Sequence, residues 1–156
     1  MSDFRQWHPW ESASQAAEAL QITMSDLRTN SETAIDCLRS ALTDFSARDP
    51  ALTVLGILST DYTVKLIDDL VVVALRTRYT LQIRNLLGRL AYQQAEALVP
   101  LAVWRLLEAE SDGDAYRRMA ELLDHLGLKD ALDQLFIQAR NSIDEDAREM
   151  AEDFSS

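Results

Sequence analysis

The sequence predicts an all-helical fold, and three observations carry that prediction. The 156-residue chain has only 4 Gly and 3 Pro, which leaves little material for turns and favours long helices joined by short connections. Its hydrophobic residues, 47% of the total, recur mostly at the spacing of an amphipathic helix. Similar segments also recur along the chain, as described below. We therefore expect one all-helical domain over residues 1–156, with about eight or nine helices.

Two helices are expected in the N-terminal third. Pro9 disfavours a regular helix around its own position, so the first helix is expected to begin only after Ser12 or Ser14 and to reach about Leu27. The residues before it, 1–13, form an aromatic N-terminal segment. A second, amphipathic helix is expected to end near Ala47.

The middle of the chain predicts four more helices. Asp49-Pro50 is typical of a helix start, with a cap followed by proline in the first turn. A helix from about Asp61 to Arg76 contains the run Leu70–Leu75, which is β-prone alone but continues a helical period and has no strand to pair with. Thr77 caps the next helix, and another spans about 93–109 with a proline inside it.

Helix-start and helix-stop residues are clearest in the C-terminal third. Residues 110–114 are predicted to form a loop, in which Asp112 or Asp114 caps the following helix. Gly127 is suited to end that helix in a left-handed turn. Two further helices are expected, one to about Ser142 and one around 145–154.

Several of these segments repeat. Leu55-Gly56-Ile57-Leu58 recurs as Leu87-Gly88-Arg89-Leu90 and again as Leu123-Asp124-His125-Leu126. Met119-Ala120-Glu121 recurs as Met150-Ala151-Glu152, each time after an arginine. The pattern predicts a unit made of a short helix, a tight turn and a longer helix, repeated over 48–154.

The stretch from Asp112 to Phe154 resembles HEAT-like helical repeats of the short bacterial type. Each of its short helices begins with an aspartate and has an early arginine, at Arg117 and Arg148, and the resemblance is best over residues 75–156. It implies a right-handed, α-solenoid-like stack of antiparallel helix pairs in a bacterial protein. A tetratricopeptide array and an irregular helical bundle are the alternatives.

The charge distribution bears on the kind of partner. A net charge of −11 argues against general nucleic-acid binding, which needs clustered Lys and Arg. Residues 76–118 are the exception, with seven arginines against five carboxylates. These arginines either pair with acidic neighbours or bind a carboxylate-rich partner. Under the resemblance, the inner face of the stack carries the candidate binding residues Arg78, Gln82, Arg89, Arg117 and Arg118.

Trp7 and Trp10 are the remaining candidates for partner binding. With Phe4 they form the densest aromatic cluster of the chain. They either cover the end of the first helix pair or anchor a partner, which includes a second copy of the chain in a homodimer.

The sequence holds no recognisable catalytic arrangement. It has no glycine-rich phosphate loop, no nucleophile elbow and no pair of cysteines, so no catalytic, cofactor-binding or metal-ligating residues and no cofactor are predicted. The single Cys37 is expected to be a small buried hydrophobe. The longest apolar run is too short to span a bilayer, and no secretory signal is evident, so no membrane partner and a cytoplasmic location are expected.

These observations favour a non-catalytic adaptor or regulator that binds a protein partner through the repeat face. One alternative is a small acidic inhibitor, such as an immunity protein that neutralises a basic toxin through its acidic flanks. Another is an enzyme built on a HEAT-like scaffold.

Overall fold

The computed structural model describes residues 8–154, and over that range the chain is helical with no strand. Ten α-helices and one short 3-10 helix follow one another: α1 His8–Thr29, α2 Ser31–Thr43, α3 Arg48–Ile57, α4 Thr60–Lys65, α5 Ile67–Ala74, the 3-10 helix Thr77–Tyr79, α6 Thr80–Leu87, α7 Tyr92–Ala109, α8 Gly113–His125, α9 Lys129–Arg140 and α10 Glu145–Asp153. The expectation of an all-helical chain is confirmed.

The chain divides into two compact units, one up to Leu38 and one from Arg39 onward, so that the boundary falls within α2. In the first unit α1 begins at His8, earlier than predicted. Pro9 does not prevent this, because the first turn of a helix needs no backbone N–H from its residues. Of the residues of α1, only Met24 is buried.

The second unit holds most of the apolar core. Within it α5 packs on α6 and α7, α3 packs on α6, and α8 packs on α7, α9 and α10. Each of these helices contributes side chains with no more than 1% exposure, among them Leu55, Leu70, Val71, Ile83, Leu87, Val99, Val103, Met119, Leu122, Leu123, Leu135, Ala139 and Met150. Burial of this apolar surface is the main stabilising term for such a core.

The helix predicted from about Asp61 to Arg76 is divided in two at Leu66. The φ of −113° and ψ of 14° at Leu66 are not helical, and the N–H of Leu66 donates to the carbonyls of both Tyr62 and Thr63. Leu66 is completely buried, so the break keeps an apolar side chain inside the core. The division raises the helix count within residues 8–154 above the expected eight or nine, while the run Leu70–Leu75 lies largely in α5 and is not a strand.

Aspartates cap two of the C-terminal helices, and of the two candidates before α8, Asp112 and Asp114, it is Asp112 that forms the cap. Asp112 accepts a hydrogen bond from the backbone N–H of Ala115 at 2.8 Å, and Asp144 does the same for Ala147 at 2.9 Å. Gly127 has a φ of +70° and ends α8 in a left-handed turn. The three Leu-x-x-Leu segments fall at the C-terminal ends of α3, α6 and α8.

Cys37 is exposed, so the prediction that it is a buried hydrophobe was wrong. It lies one position from the apolar stripe of α2, in which Ala34, Ile35 and Leu38 are buried. A shift of one residue turns a side chain by about 100° around a helix, which is enough to carry it out of the core. As for membranes, none of the helices within residues 8–154 combines the length and the apolar character that spanning a bilayer requires.

Candidate functional site: an arginine-lined pocket

An open pocket of about 590 Å³ in the second unit is lined by four arginines. Three separate segments form it: the loop between α2 and α3 with the start of α3, the connection between α5 and α6, and the first turns of α8. The lining residues are Phe45, Arg48, Leu75, Arg76, Thr77, Arg78, Tyr79, Asp114 and Arg118. We call this site the arginine pocket.

Arg48 is fixed in place by the end of α2. Its Nε donates a hydrogen bond of 2.7 Å to the carbonyl of Leu42, and its Nη2 donates one of 3.3 Å to the carbonyl of Thr43. Carbonyls at a helix C-terminus have no partner within the helix, so a cation there supplies the missing hydrogen bonds. Its charge also interacts favourably with the negative end of the helix dipole. The guanidinium also lies over the ring of Tyr79, 5.3 Å from its centroid. Within residues 8–154 Arg48 forms no ion pair, although the nearby carboxylate of Asp44 interacts with it electrostatically.

Arg78 is oriented by one carboxylate and two aromatic rings. Its Nη2 lies 2.6 Å from an oxygen of Asp49. Its guanidinium lies 5.5 Å from the ring centroid of Tyr79 and 6.0 Å from that of Phe45. Arginine stacks on aromatic faces while its N–H groups remain directed outward, so these contacts position the charge without consuming its donors.

Tyr79 is the buried base of this arrangement. It is only 2% exposed, and two arginine side chains lie over its ring. Its hydroxyl and that of Thr80 are buried and have no hydrogen-bond partner among the described residues. Phe45, by contrast, is 69% exposed at the edge of the pocket. The pocket thus combines a rigid aromatic base with an accessible aromatic edge.

The other two arginines differ in how they are held. Arg118 donates from Nε to Asp114 at 3.0 Å, one helical turn earlier in α8. Arg76 is exposed, and within residues 8–154 its side chain has no hydrogen bond or ion pair. Arg76 therefore brings all of its donors to the pocket.

The arginine pocket has an excess of positive charge, although the chain as a whole is acidic. Its lining holds four arginines and one carboxylate, Asp114, and Asp49 pairs with Arg78 just outside the lining. Asp44 lies close by, where hydrogen bonds from Ser46 hold the pKa of its carboxyl below the usual value. With a net charge of −11 for the whole chain, a local excess of positive charge marks this pocket as a place for an anion.

The structure brings together two of the residues predicted from sequence, Arg78 and Arg118. Gln82 and Arg117 are exposed in α6 and α8 but do not line the pocket. Trp10 lies in α1 and is 49% exposed, whereas Trp7 lies outside the described residues. Of the predicted residues, the arginine pocket therefore contains Arg78 and Arg118.

Arg89 is held by backbone carbonyls instead. Its Nη1 donates to the carbonyls of Leu55 and Gly56 at 3.1 and 2.9 Å, and its Nη2 donates to that of Leu58 at 2.9 Å. These carbonyls end α3, so Arg89 caps the C-terminus of that helix from the next repeated segment.

Sequence reasoning missed Arg48, Tyr79 and Phe45 as site residues, and it noted Arg76 only as one of seven arginines. The available signal was the run Arg76-Thr77-Arg78-Tyr79, in which two cations adjoin an aromatic residue. Arg48 had no such signal, because its position follows from the path of the loop between α2 and α3.

A second open cleft, of about 500 Å³, lies between α7 and the start of α9 and has a different character. Its lining includes Tyr92, Glu96 and Asp130. The Glu96 carboxylate raises the pKa of Tyr92, and Asp130 adds to this effect. Residues 8–154 contain no cluster of His, Cys, Asp or Glu that could hold a metal ion.

Comparisons of the chain with protein-family models, with curated proteins and with solved structures find no match.

Proposed function

We propose that this chain is a non-catalytic protein-binding module, an adaptor or regulator, that docks an acidic segment of a protein partner in the arginine pocket. One observation carries the proposal: four arginines from three separate segments converge on one open pocket that holds a single carboxylate. Because the arginines are far apart in sequence, from position 48 to position 118, only the fold brings them together.

The pocket chemistry fits an anionic side chain. Arg48 and Arg78 are positioned before a ligand arrives, by helix carbonyls, by Asp49 and by the ring of Tyr79. Donors that are already oriented lose less conformational entropy on binding, so more of the interaction energy appears as affinity. The exposed ring of Phe45 at the edge can contact an apolar residue next to the acidic one.

We further propose that the helices form a stack of repeated pairs, as the resemblance to HEAT-like repeats implies. The arginine contacts between helices support it: Arg39–Asp69, Arg78–Asp49, Arg84–Glu121 and Arg105–Asp68 join residues 29 to 37 positions apart. The Leu-x-x-Leu segments recur at 32 and 36 positions. The arginine contacts and the Leu-x-x-Leu segments are expected to have a similar spacing when the arginines of one repeat contact the neighbouring repeat.

A titration with a defined peptide tests the binding function. The probe is a synthetic decapeptide with four consecutive glutamates beside one leucine. Its binding is measured by the backbone amide chemical shifts of the protein. We expect the largest shifts at Phe45, Arg76, Thr77 and Arg118 in the pocket, and binding that weakens as salt is added. Arg76→Glu should remove binding, because it reverses a positive charge in the lining of the pocket. It breaks no side-chain hydrogen bond or ion pair within residues 8–154.

Arg117→Glu is the matched control. Arg117 is also exposed and unpaired within residues 8–154, but it lies outside the pocket. Its variant has the same net charge as Arg76→Glu and should retain peptide binding. Equal loss in both variants, or no shift in the pocket, would overturn the proposal. The inhibitor alternative predicts instead that a basic peptide binds and that Arg76→Glu does not weaken it.

A further inference from the structure

We infer that the anionic group for which the arginine pocket is built is a phosphate monoester on a side chain of the docked segment. The inference rests on the proposed function and names the chemistry of the partner residue. It follows from three features of the pocket: the number of N–H donors, the positive charge that the aspartates of the protein leave unbalanced, and the fact that those aspartates compete with a ligand for the arginines.

The pocket supplies more N–H donors than a carboxylate can accept. A guanidinium has five N–H groups, and a carboxylate has two oxygens, whereas a phosphate monoester has three terminal oxygens. Among the described residues Arg76 has no partner for its side-chain donors, Arg78 uses Nη2 on Asp49, and Arg118 uses Nε on Asp114. Two or three guanidinium edges can therefore face one ligand, and Arg pairs with phosphate through two parallel hydrogen bonds.

The charge balance favours a dianion. Arg78 and Arg118 pair with Asp49 and Asp114. Arg48 and Arg76 form no ion pair within residues 8–154, although the nearby Asp44 interacts electrostatically with Arg48. A phosphate monoester carries about −1.5 to −2 charges at pH 7, so it meets the charges of Arg48 and Arg76 more fully than a carboxylate, which carries one.

Competition within the pocket points the same way. Asp49 and Asp114 already hold Arg78 and Arg118 at 2.6 and 3.0 Å. An incoming carboxylate is chemically equal to these internal partners and has no advantage in displacing them. A dianion attracts each guanidinium more strongly, so it can draw Arg78 and Arg118 away from their aspartates.

The inference predicts a pH dependence that a carboxylate ligand would not show. The second pKa of a phosphate monoester is about 6, so affinity should rise between about pH 5 and about pH 7 as the dianion forms. The protein groups that face the ligand are the four arginines, Asp114, Asp49 beside them and Tyr79, with Asp44 close by. The lining contains no histidine, so nothing in it ordinarily titrates between about pH 5 and about pH 7.

Three matched peptides test the inference on the full chain. They share one sequence and differ at a single residue, which is serine, glutamate or phosphoserine, and binding is measured by isothermal titration calorimetry and by amide chemical shifts. We expect the phosphoserine peptide to bind at least about tenfold more tightly than the glutamate peptide, and only its affinity to rise from about pH 5 to about pH 7. Arg76→Ala should remove most of that difference, and Arg117→Ala should preserve it.

Each outcome has a defined meaning. If the glutamate and phosphoserine peptides bind equally well in the pocket, the phosphate inference is wrong and the proposed function stands. If neither peptide binds, both are wrong. Inorganic phosphate at millimolar concentration forms a separate arm: if it shifts the pocket amides as strongly as the phosphopeptide does at equal concentration, the site recognises the free ion, and the assignment to a partner side chain is overturned.

Discussion

At the scale of single residues, Gly113 shows how closely two helices of the C-terminal part approach. It is the first residue of α8, and a Cβ placed on it would lie 2.5 Å from the Cβ of Asp146 and 2.8 Å from its carbonyl carbon. The same Cβ would lie 3.0 Å from the backbone nitrogen of Ala147. The φ of Gly113 is not positive, so glycine is required here for space rather than for backbone conformation.

We therefore expect Gly113→Ala to lower the free energy of unfolding by about 1–3 kcal/mol, because the backbone of α10 must shift to accept the methyl group. Gly56→Ala is the matched control. Gly56 lies in the last turn of α3 with nothing within 4 Å of its Cβ position, so alanine should stabilise the protein by up to about 1 kcal/mol through its helix propensity. Urea denaturation measures both changes, and effects of the same sign would contradict the close approach.

The sequence predicted residues whose role is local and missed residues whose role depends on distant parts of the chain. Asp112 and Gly127 were predicted because a helix cap and a left-handed turn depend on a few neighbouring positions. The break at Leu66 was missed, since a leucine within a helical period gives no local sign of one. Arg48 was missed for the same reason, because its role depends on Tyr79, 31 positions away.

At the scale of elements, arginines fasten one helix to another. Arg89, just after α6, donates three hydrogen bonds to carbonyls at the end of α3. The last carbonyls of a helix lack partners within it, and Arg89 reaches those of Leu55 and Gly56 in α3 and that of the C-cap residue Leu58. The contact between α3 and α6 therefore combines apolar packing with a cap supplied from outside the helix.

Arg89→Ala should lower the free energy of unfolding by about 1–3 kcal/mol, since it leaves these carbonyls to water or unpaired. Arg89→Lys should recover only part of the loss, because one ammonium group cannot span three carbonyls as a planar guanidinium does. Arg117→Ala, at an exposed arginine that has no such contacts within the described residues, should change the stability by less than about 0.5 kcal/mol. Thermal and urea unfolding measure all three, and equal losses for Arg89→Ala and Arg117→Ala would contradict the capping role.

At the scale of the second unit as a whole, the packing joins neighbours in the order of the chain. α3 meets α6, α5 meets α7, and α8 meets α10, so each of these pairs joins helices that lie two or three places apart in the order of the chain. In a stack of repeats, stability is approximately a sum of local terms, and a weakened repeat opens with its neighbours only. In an irregular bundle with one shared core, the same weakening is felt by every helix.

Asp144→Ala separates these two arrangements. The carboxylate of Asp144 accepts a hydrogen bond from the N–H of Ala147, and its loss at a helix N-cap costs about 1 kcal/mol. This raises the equilibrium constant of local opening, and with it the rate of amide exchange, about fivefold. Native-state hydrogen exchange should show this acceleration in α10 and in its neighbours α8 and α9, with α3, α5 and α6 unchanged. Asp144→Asn, which keeps an N-cap acceptor, should restore most of the protection. Uniform acceleration in α3 through α10 would instead show that the helices share one cooperative core, and the proposal of a repeat stack would then fail while the arginine pocket remained.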